Sequence, residues 1–504
     1  MQNLKKRKEF LLKNKTLIIL ISILILAFAV RLFYFNITKD QAVWWDEADY
    51  LLKAKDLVHS IQNYEFLPHR NFGMSLVWAG LSQLGANEIF FRFLYVLMST
   101  LTIWIIFLLG KELYNENIGL ISSFLFAVFY LHIFYSMRLL LHVPEVLFFT
   151  LTLLFFWKGY KHEEERAFNW IFAGIFSALG LLMFYSTGNS IAIIAIFLLL
   201  TEKFKIFKNK SLWKMIGAWF VALSPWFIYN LIKYSNPIKP ITATFIRFKF
   251  GGLYDPQYSV GLPLPYYLKY FPQGLKLILF VLLIIGLISF IDLILGLDIV
   301  FKRKEKKLDA DLFVLIWLIE VLLMFGLTGH FEDRYIITIF PAFFIVIGKG
   351  IQKIHSLTPE KYKKIAVVTI LVLLLIAGYQ QLSYANQLTR SMSTSYLQIK
   401  QASLWLKENS NPDDIIVVNN NDLLFGYYLG KKLPTFGASD EALTIFIKEK
   451  KPKYLVITIF EPVKVDWHYS YPEKHQDLIT PIYGFFADQE QKQAVIGIYR
   501  VNII

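Results

Sequence analysis

Three carboxylates crowd one short run of this sequence, Trp44-Trp45-Asp46-Glu47-Ala48-Asp49-Tyr50. Carboxylates beside aromatic rings suit sugar chemistry. Rings stack on sugar faces, carboxylates accept hydroxyl protons, and one carboxylate can act as general base for an attacking hydroxyl. The competing reading is a pair of interfacial tryptophans next to solvated loop acids. Cations follow at wider spacing. Arg92 lies inside the apolar run 89–109, four residues after Glu88, so the two share a helix face and can pair. An ionisable group in such a run marks a functional site unless it snorkels to the interface. Arg138, His142 and Glu145 stand between two apolar runs, with Arg138 and His142 again four apart. An arginine there can hold a phosphate. The segment His330-Phe331-Glu332-Asp333-Arg334-Tyr335, followed by Pro341, offers a second phosphate ligand in Arg334, whose fork matches phosphate oxygens. Glu47-x-Asp49 and the trio His330, Glu332 and Asp333 offer oxygen and nitrogen donors for a divalent cation. No spacing among them is diagnostic, so no metal ligand is assigned.

The elements that must position these side chains are membrane helices. The 504 residues are 56% hydrophobic and 18% charged, against roughly half and a quarter in soluble domains. Cysteine is absent, which excludes disulfides, thiolate catalysis and Cys-ligated metals. The net charge of +14 is assigned to Lys and Arg in cytoplasmic loops rather than to nucleic-acid binding. Apolar runs of spanning length occur at about 17–35, 89–109, 118–136, 143–158, 168–185, 188–201, 212–231, 274–299, 312–329, 335–350 and 365–384, which predicts about eleven transmembrane helices. Basic clusters at the N-terminus, 158–166, 203–214, 302–307 and 349–364 fall on one side of this alternation. The rule that positive loops stay inside then places the N-terminus in the cytoplasm and the tail outside the cell membrane. The acidic motif occupies the outer loop 36–88, ahead of an amphipathic stretch at Leu51–His59 that fits a membrane surface. Asp292 and Glu320 fall inside predicted spans and keep a proton or ion path open.

The tail differs in kind. Short β-branched runs at Ile415–Val418, Tyr454–Phe460 and Ala494–Tyr499, with a helical stretch at Asp440–Lys450, predict a small α/β domain with parallel pairing. The fold expected is thus a polytopic α-helical membrane domain over 1–384 and a soluble extracytoplasmic α/β domain over 385–504. Asn419-Asn420-Asn421-Asp422 closes the first of these strands. Sites in α/β domains gather at strand ends, although the composition also reads as an ordinary polar turn.

Taken in order, the motifs resemble those of the GT-C superfamily of membrane glycosyltransferases, most closely the protein O-mannosyltransferase and aminoarabinose-transferase group. The resemblance covers roughly residues 1–350. It rests on the basic N-terminus and first span, the outer Asp46-Glu47 pair, Gly85/Glu88/Arg92, Arg138 with Pro144-Glu145, and Arg334-Tyr335 ahead of Pro341. It implies transfer of a sugar from a polyprenyl- or dolichyl-phosphate donor to a lipid or protein acceptor at the outer membrane face. Asp46 would then be the base with Glu47 beside it. Arg138 and Arg334 would hold the lipid phosphate, and Arg92 would contact or support it. His330 and Tyr335 join the substrate-binding set. Pro68-His69-Arg70-Asn71 departs from the Pro-Pro usual in the family's first loop. The alternative is a secondary transporter or flippase, although no internal repeat is visible and the polar clusters sit between spans rather than in them.

Overall fold

The computed structural model describes residues 14–59, 61, 64, 67–162, 166–244, 246, 263–291, 293, 308–327, 332–460, 465–487 and 494–502. Each apolar run read from the sequence falls on helix within these residues. The helices are α1 (Lys15–Thr38), α2 (Trp45–Leu57), α3 (Gly73–Gln83), α4 (Glu88–Leu113), α5 (Glu116–Val128), α6 (Tyr130–Tyr135), α7 (His142–Lys161), α8 (Arg166–Met183), α9 (Asn189–Glu202), α10 (Lys210–Tyr234), α11 (Pro263–Ile288), α12 (Asp309–Gly326), α13 (Phe340–Leu357), α14 (Lys363–Met392) and α15 (Leu397–Asn409). Among the described residues, 8 helical stretches are long and apolar enough to cross a membrane. The expected eleven is not reached on length and polarity. The helices α5 and α9 have 13 and 14 residues, and α12 carries Asp309, Asp311 and Glu320. The chain is an integral membrane protein with a small C-terminal sheet. It divides into two compact units, 1–37 with 67–74 and 88–389, and 38–66 with 75–87 and 390–504.

In the first unit, helices meet through small residues. A Cβ on Gly110 of α4 would stand 2.9 Å from the Cα of Gly119 on α5. A Cβ on Gly350 of α13 would stand 2.7 Å from the Cα of Gly286 on α11. Apolar side chains gain nothing by leaving lipid for each other, so close backbone approach supplies the packing.

Two helices in this unit are interrupted. Between α5 and α6, Phe129 is extended (φ −67, ψ 119). The freed carbonyl of Ala127 accepts from Arg31 Nη1 at 2.9 Å, and the freed N–H of Tyr130 donates to Gln381 Oε1 at 3.3 Å. In α11, Lys276 stands at φ 62, ψ 165, four residues after Pro272. That region is held almost only by glycine and costs a lysine about 1–3 kcal/mol. Gly274 and Leu275 lose their helical partners, and both carbonyls accept from Gln381 Nε2 at 3.0 Å. Non-helical backbone at membrane depth survives only where protein groups satisfy it. Gln381, on α14, does so for both breaks.

The second unit carries β1 (Ile416–Val418), α16 (Asp422–Leu429), α17 (Asp440–Lys450), β2 (Tyr454–Thr458), α18 (Asp466–Lys474), β3 (Ile479–Phe486) and β4 (Ala494–Val501). The strand order is β1-β2-β4-β3. Pairing is parallel for β1 with β2, as expected from the sequence, and antiparallel for β2 with β4 and β3 with β4. The expectation of a parallel sheet thus holds for one pair only. β3 escaped the sequence reading because ITPIYGFF does not alternate and holds a proline, which confines it to an edge. Val417, Leu443, Ile447, Leu455, Tyr471 and Ile479 form the core between sheet and helices. Helix α17 starts on Ser439, whose Oγ accepts from Ala442 N, with Asp440 and Glu441 in its first turn and Lys448 and Lys450 in its last.

Candidate functional site

The acidic motif forms the first turn of α2. The helix begins earlier than its amphipathic spacing indicated because Glu47 caps it. Trp44 N donates to Glu47 Oε2 at 2.6 Å, satisfying one of the N–H groups a helix start leaves open. Glu47 is fully buried, whereas Asp46 remains partly exposed. The two neighbouring acids therefore differ in burial: Glu47 is enclosed and bonds the backbone, whereas Asp46 is partly exposed. Asp49 is buried and accepts from the Tyr64 hydroxyl. Tyr64 N also bonds Asp56 Oδ1 at 3.3 Å, and Lys53 pairs with Asp56 at 2.7 Å.

One side of α2 is held by α16. Trp45 Nε1 donates to Asn421 Oδ1 at 2.8 Å, Val43 N to the Tyr428 hydroxyl at 2.9 Å, and Lys55 Nζ to Tyr427 O at 2.7 Å. Lys55 Nζ also lies 4.1 Å from the Tyr427 ring centre. The polar turn after β1 thus has a structural task. Asn421 stands in the left-handed region (φ 58) and donates to Phe460 O at 2.7 Å. Asn419 exchanges two bonds with Thr458. Burial pushes the Asp422 carboxyl above the ordinary carboxylate range, with the Asp49 charge adding to the effect and Lys432 opposing it.

The arginines lie in the other unit, and three sequence motifs meet there. Arg92 is buried at 1% exposure, and its Nε and Nη2 fork onto Glu88 Oε1 at 3.0 and 2.7 Å. Its Nη1 donates to Met137 O at 3.1 Å, which fixes the residue preceding Arg138. Arg138 is buried in the same turn, 6.0 Å from the Phe134 ring centre. His142 Nδ1 and Glu145 Oε2 are 3.0 Å apart, and Glu145 also accepts from Ser186. The His142 ring packs edge-on to Tyr135, Phe184 and Tyr335, which brings in the late motif. There Arg334 pairs with Glu332: Nη2 donates to Oε1 at 2.8 Å, and Nε stands 2.7 Å from Oε2 as an ion-pair contact. Tyr335 donates to the same carboxylate at 3.0 Å, and Tyr135 to Asp333 at 3.4 Å. His330 lies outside the described residues, as does Asp292. Among the described residues, no group of three or more His, Asp or Glu is placed to hold a metal ion. Among the described residues, Glu320 Oε2 on α12 is buried without a hydrogen-bond partner.

Sequence reasoning passed over Lys276, Gln381, Tyr130 and Tyr270. Lys276 was findable, since it breaks the apolar run 274–299 as Arg92 breaks its own. The others are ordinary polar residues whose task depends on distant backbone.

A model of the dolichyl-phosphate-mannose-protein mannosyltransferase family matches residues 72–229. The structure is similar to that of ArnT from Cupriavidus metallidurans bound to undecaprenyl phosphate, with TM-score 0.63 and 13% identity over 96% of this chain and 98% of that one. The chain has a GT-C fold. Two further GT-C structures match: the Archaeoglobus fulgidus oligosaccharyltransferase in apo form, at TM-score 0.58 and 12% identity over 89% of this chain and 70% of that one, and the mycobacterial arabinofuranosyltransferase AftD, at TM-score 0.58 and 13% identity over 95% and 40%. No curated protein matches the sequence.

Proposed function

We propose that this chain is a membrane glycosyltransferase moving a sugar from a polyprenyl- or dolichyl-phosphate donor to a lipid or protein acceptor at the outer face of the cell membrane. The observation that carries the reading is that the turn held by Arg92 and bearing Arg138 meets the Arg334-Tyr335 segment through the His142 and Tyr335 rings, in a GT-C fold. Similar folds include one bound to undecaprenyl phosphate and one in complex with an inhibitory peptide and a dolichol-phosphate.

The acceptor hydroxyl gives its proton to Asp46. Its oxygen bonds the anomeric carbon as the bond from that carbon to the phosphate oxygen breaks. The lipid phosphate leaves with the electron pair, and fixed guanidinium charge stabilises it. Arg138 and Arg334 are the phosphate ligands, with Arg92 holding the turn that carries Arg138. Arg334 has to exchange Glu332 for phosphate, and Tyr335 keeps Glu332 in place meanwhile.

The test is a transfer assay with a panel of polyprenyl-phosphate sugars and host lipid and protein acceptors, read by mass spectrometry. Asp46→Asn is expected to lower turnover by about 10²–10⁴-fold, the range for a lost general base. Glu47→Gln keeps an acceptor for Trp44 N and is expected to retain most turnover. Full activity in folded Asp46→Asn sinks the assignment. The interrupted helices favour a second reading, a transporter or flippase. Substrate flux across vesicles without any product would decide for it.

A further inference from the structure

We infer that the loop joining α9 to α10 is a docking surface for anionic lipid, its lysines meeting the headgroups and its aromatic rings entering the bilayer interface. Residues 201–214 read TEKFKIFKNKSLWK, five lysines against one carboxylate, with Phe204, Phe207 and Trp213 set among them. All five lysines are exposed. Among the described residues, none of them pairs with a carboxylate. The rings are open too: Phe204 is 81% exposed, Phe207 52% and Trp213 54%. Single exposed apolar residues are ordinary, but three large rings side by side make a patch. Cations interleaved with aromatic rings are the composition that binds an anionic membrane surface.

The fold holds this patch in one shape. Lys203, at the end of α9, stands at φ 51, ψ −146, a region that glycine occupies freely and lysine only under strain. A tight helical turn spans Lys203–Lys208. Ile206 is buried and anchors it, while the open rings of Phe204 and Phe207 stack with centres 6.5 Å apart. Trp213 Nε1 donates to Phe207 O at 2.8 Å, which ties the third ring to the other two. Asn209 closes the turn and opens α10: its N–H donates to Ile206 O at 2.8 Å, and its side-chain oxygen accepts from Ser211 N at 2.9 Å. Helix α10 is long and apolar enough to cross a membrane, and Trp213 and Lys214 lie in its first two turns. The patch therefore stands where a span meets headgroups, which favours lipid over a soluble anion. The rule that positive loops stay inside puts 203–214 on the cytoplasmic side, whose leaflet carries the anionic lipid.

Lipid docking is independent of the proposed transfer reaction and is read without turnover. The chain has no cysteine, so Phe204→Cys offers one position for an environment-sensitive fluorophore, whose rings replace the phenyl. Labelled full-length protein is placed in nanodiscs of phosphatidylcholine alone, or of phosphatidylcholine and phosphatidylglycerol in equal parts. Both kinds carry the same fraction of doxyl-labelled phosphatidylcholine, which quenches from within the bilayer. Quenching is expected to be at least about twofold stronger in the anionic discs. It is expected to fall to the neutral-disc level at about 1 M salt, where the Debye length is about 3 Å. Replacing Lys205, Lys208, Lys210 and Lys214 together by glutamine is expected to abolish the difference and to leave the melting temperature unchanged. Lys205→Gln with Lys208→Gln leaves α10 untouched and is expected to remove at least half of the difference. Equal quenching in the two kinds of disc, or an unchanged difference in either folded lysine variant, overturns the inference. Weak quenching in both kinds turns the patch to solvent, as a soluble anionic partner requires, and overturns it equally.

Discussion

Replacing Arg92 by methionine tests whether a residue that need not touch substrate sets its affinity. The side chain is 1% exposed, forks onto Glu88 and bonds Met137 O at 3.1 Å, one residue before Arg138. Methionine keeps the length and apolar stem and removes all three bonds. The bond to Met137 is a buried, charge-assisted hydrogen bond, worth about 1.5–3 kcal/mol. The Glu88 pair has a partner side chain 20% exposed, so solvent reduces it to about 1 kcal/mol or less. Stability is expected to fall by about 1.5–4 kcal/mol in total. If the Met137 bond is what places Arg138, the donor KM rises by roughly 10–150-fold, the equivalent of that bond alone, with a smaller change in kcat. The assay is a double-mutant cycle with Arg138→Met. A residue acting through Arg138 adds nothing once Arg138 is gone, so the double variant is expected to match Arg138→Met within about 0.5 kcal/mol. Full additivity in the cycle, or an unchanged donor KM in Arg92→Met, refutes the reasoning.

Asn421 separates backbone from side chain. Asn421→Gly loses the bonds to Trp45 and Phe460, about 1 kcal/mol each, while Asn421→Ala adds about 1–2 kcal/mol for a left-handed alanine. Denaturant unfolding should rank alanine below glycine, and the reverse order contradicts the assigned role. Asp422 gives a pH signature. Its folded carboxyl is raised by burial, so the folded state holds the proton more tightly than the unfolded one. Stability is therefore highest below the unfolded value of about 4 and falls as pH rises toward the folded value. Asp422→Asn should flatten that decline in melts taken between about pH 4 and 7, and an unchanged slope would show that another group is responsible.

The membrane helices were legible in the sequence because lipid imposes one demand, a long apolar run, and within the described residues each of the eleven runs falls on helix. Their number as spans was less legible, since α5 and α9 are short and α12 is acidic. The pairing of Glu88 with Arg92 followed from helical spacing alone. The distinction between Asp46 and Glu47 did not, because it depends on which acid reaches back to Trp44 N. The polar turn at 419–422 reads as an ordinary loop in sequence, and only the fold shows it fastening α2 to α16. The two interrupted helices were invisible for a related reason. Pro272 signals a kink, but neither Phe129 nor Lys276 belongs to the residue types that announce a break.

Gln381 has an implication for which sequences this fold can tolerate. Its oxygen receives the N–H of Tyr130 while its nitrogen serves the carbonyls of Gly274 and Leu275. The position needs an acceptor and a donor on one side chain of one length. Glutamate supplies no donor when ionised, lysine supplies no acceptor, and asparagine is a methylene short. The helix carrying it is otherwise plain and lipid-like, with Leu371, Val372 and Leu375 open to the surroundings. Sequence drift is therefore free on the open face of α14 but not at this amide, and a shift of that helix by a single residue would strand the polar groups of two others at once.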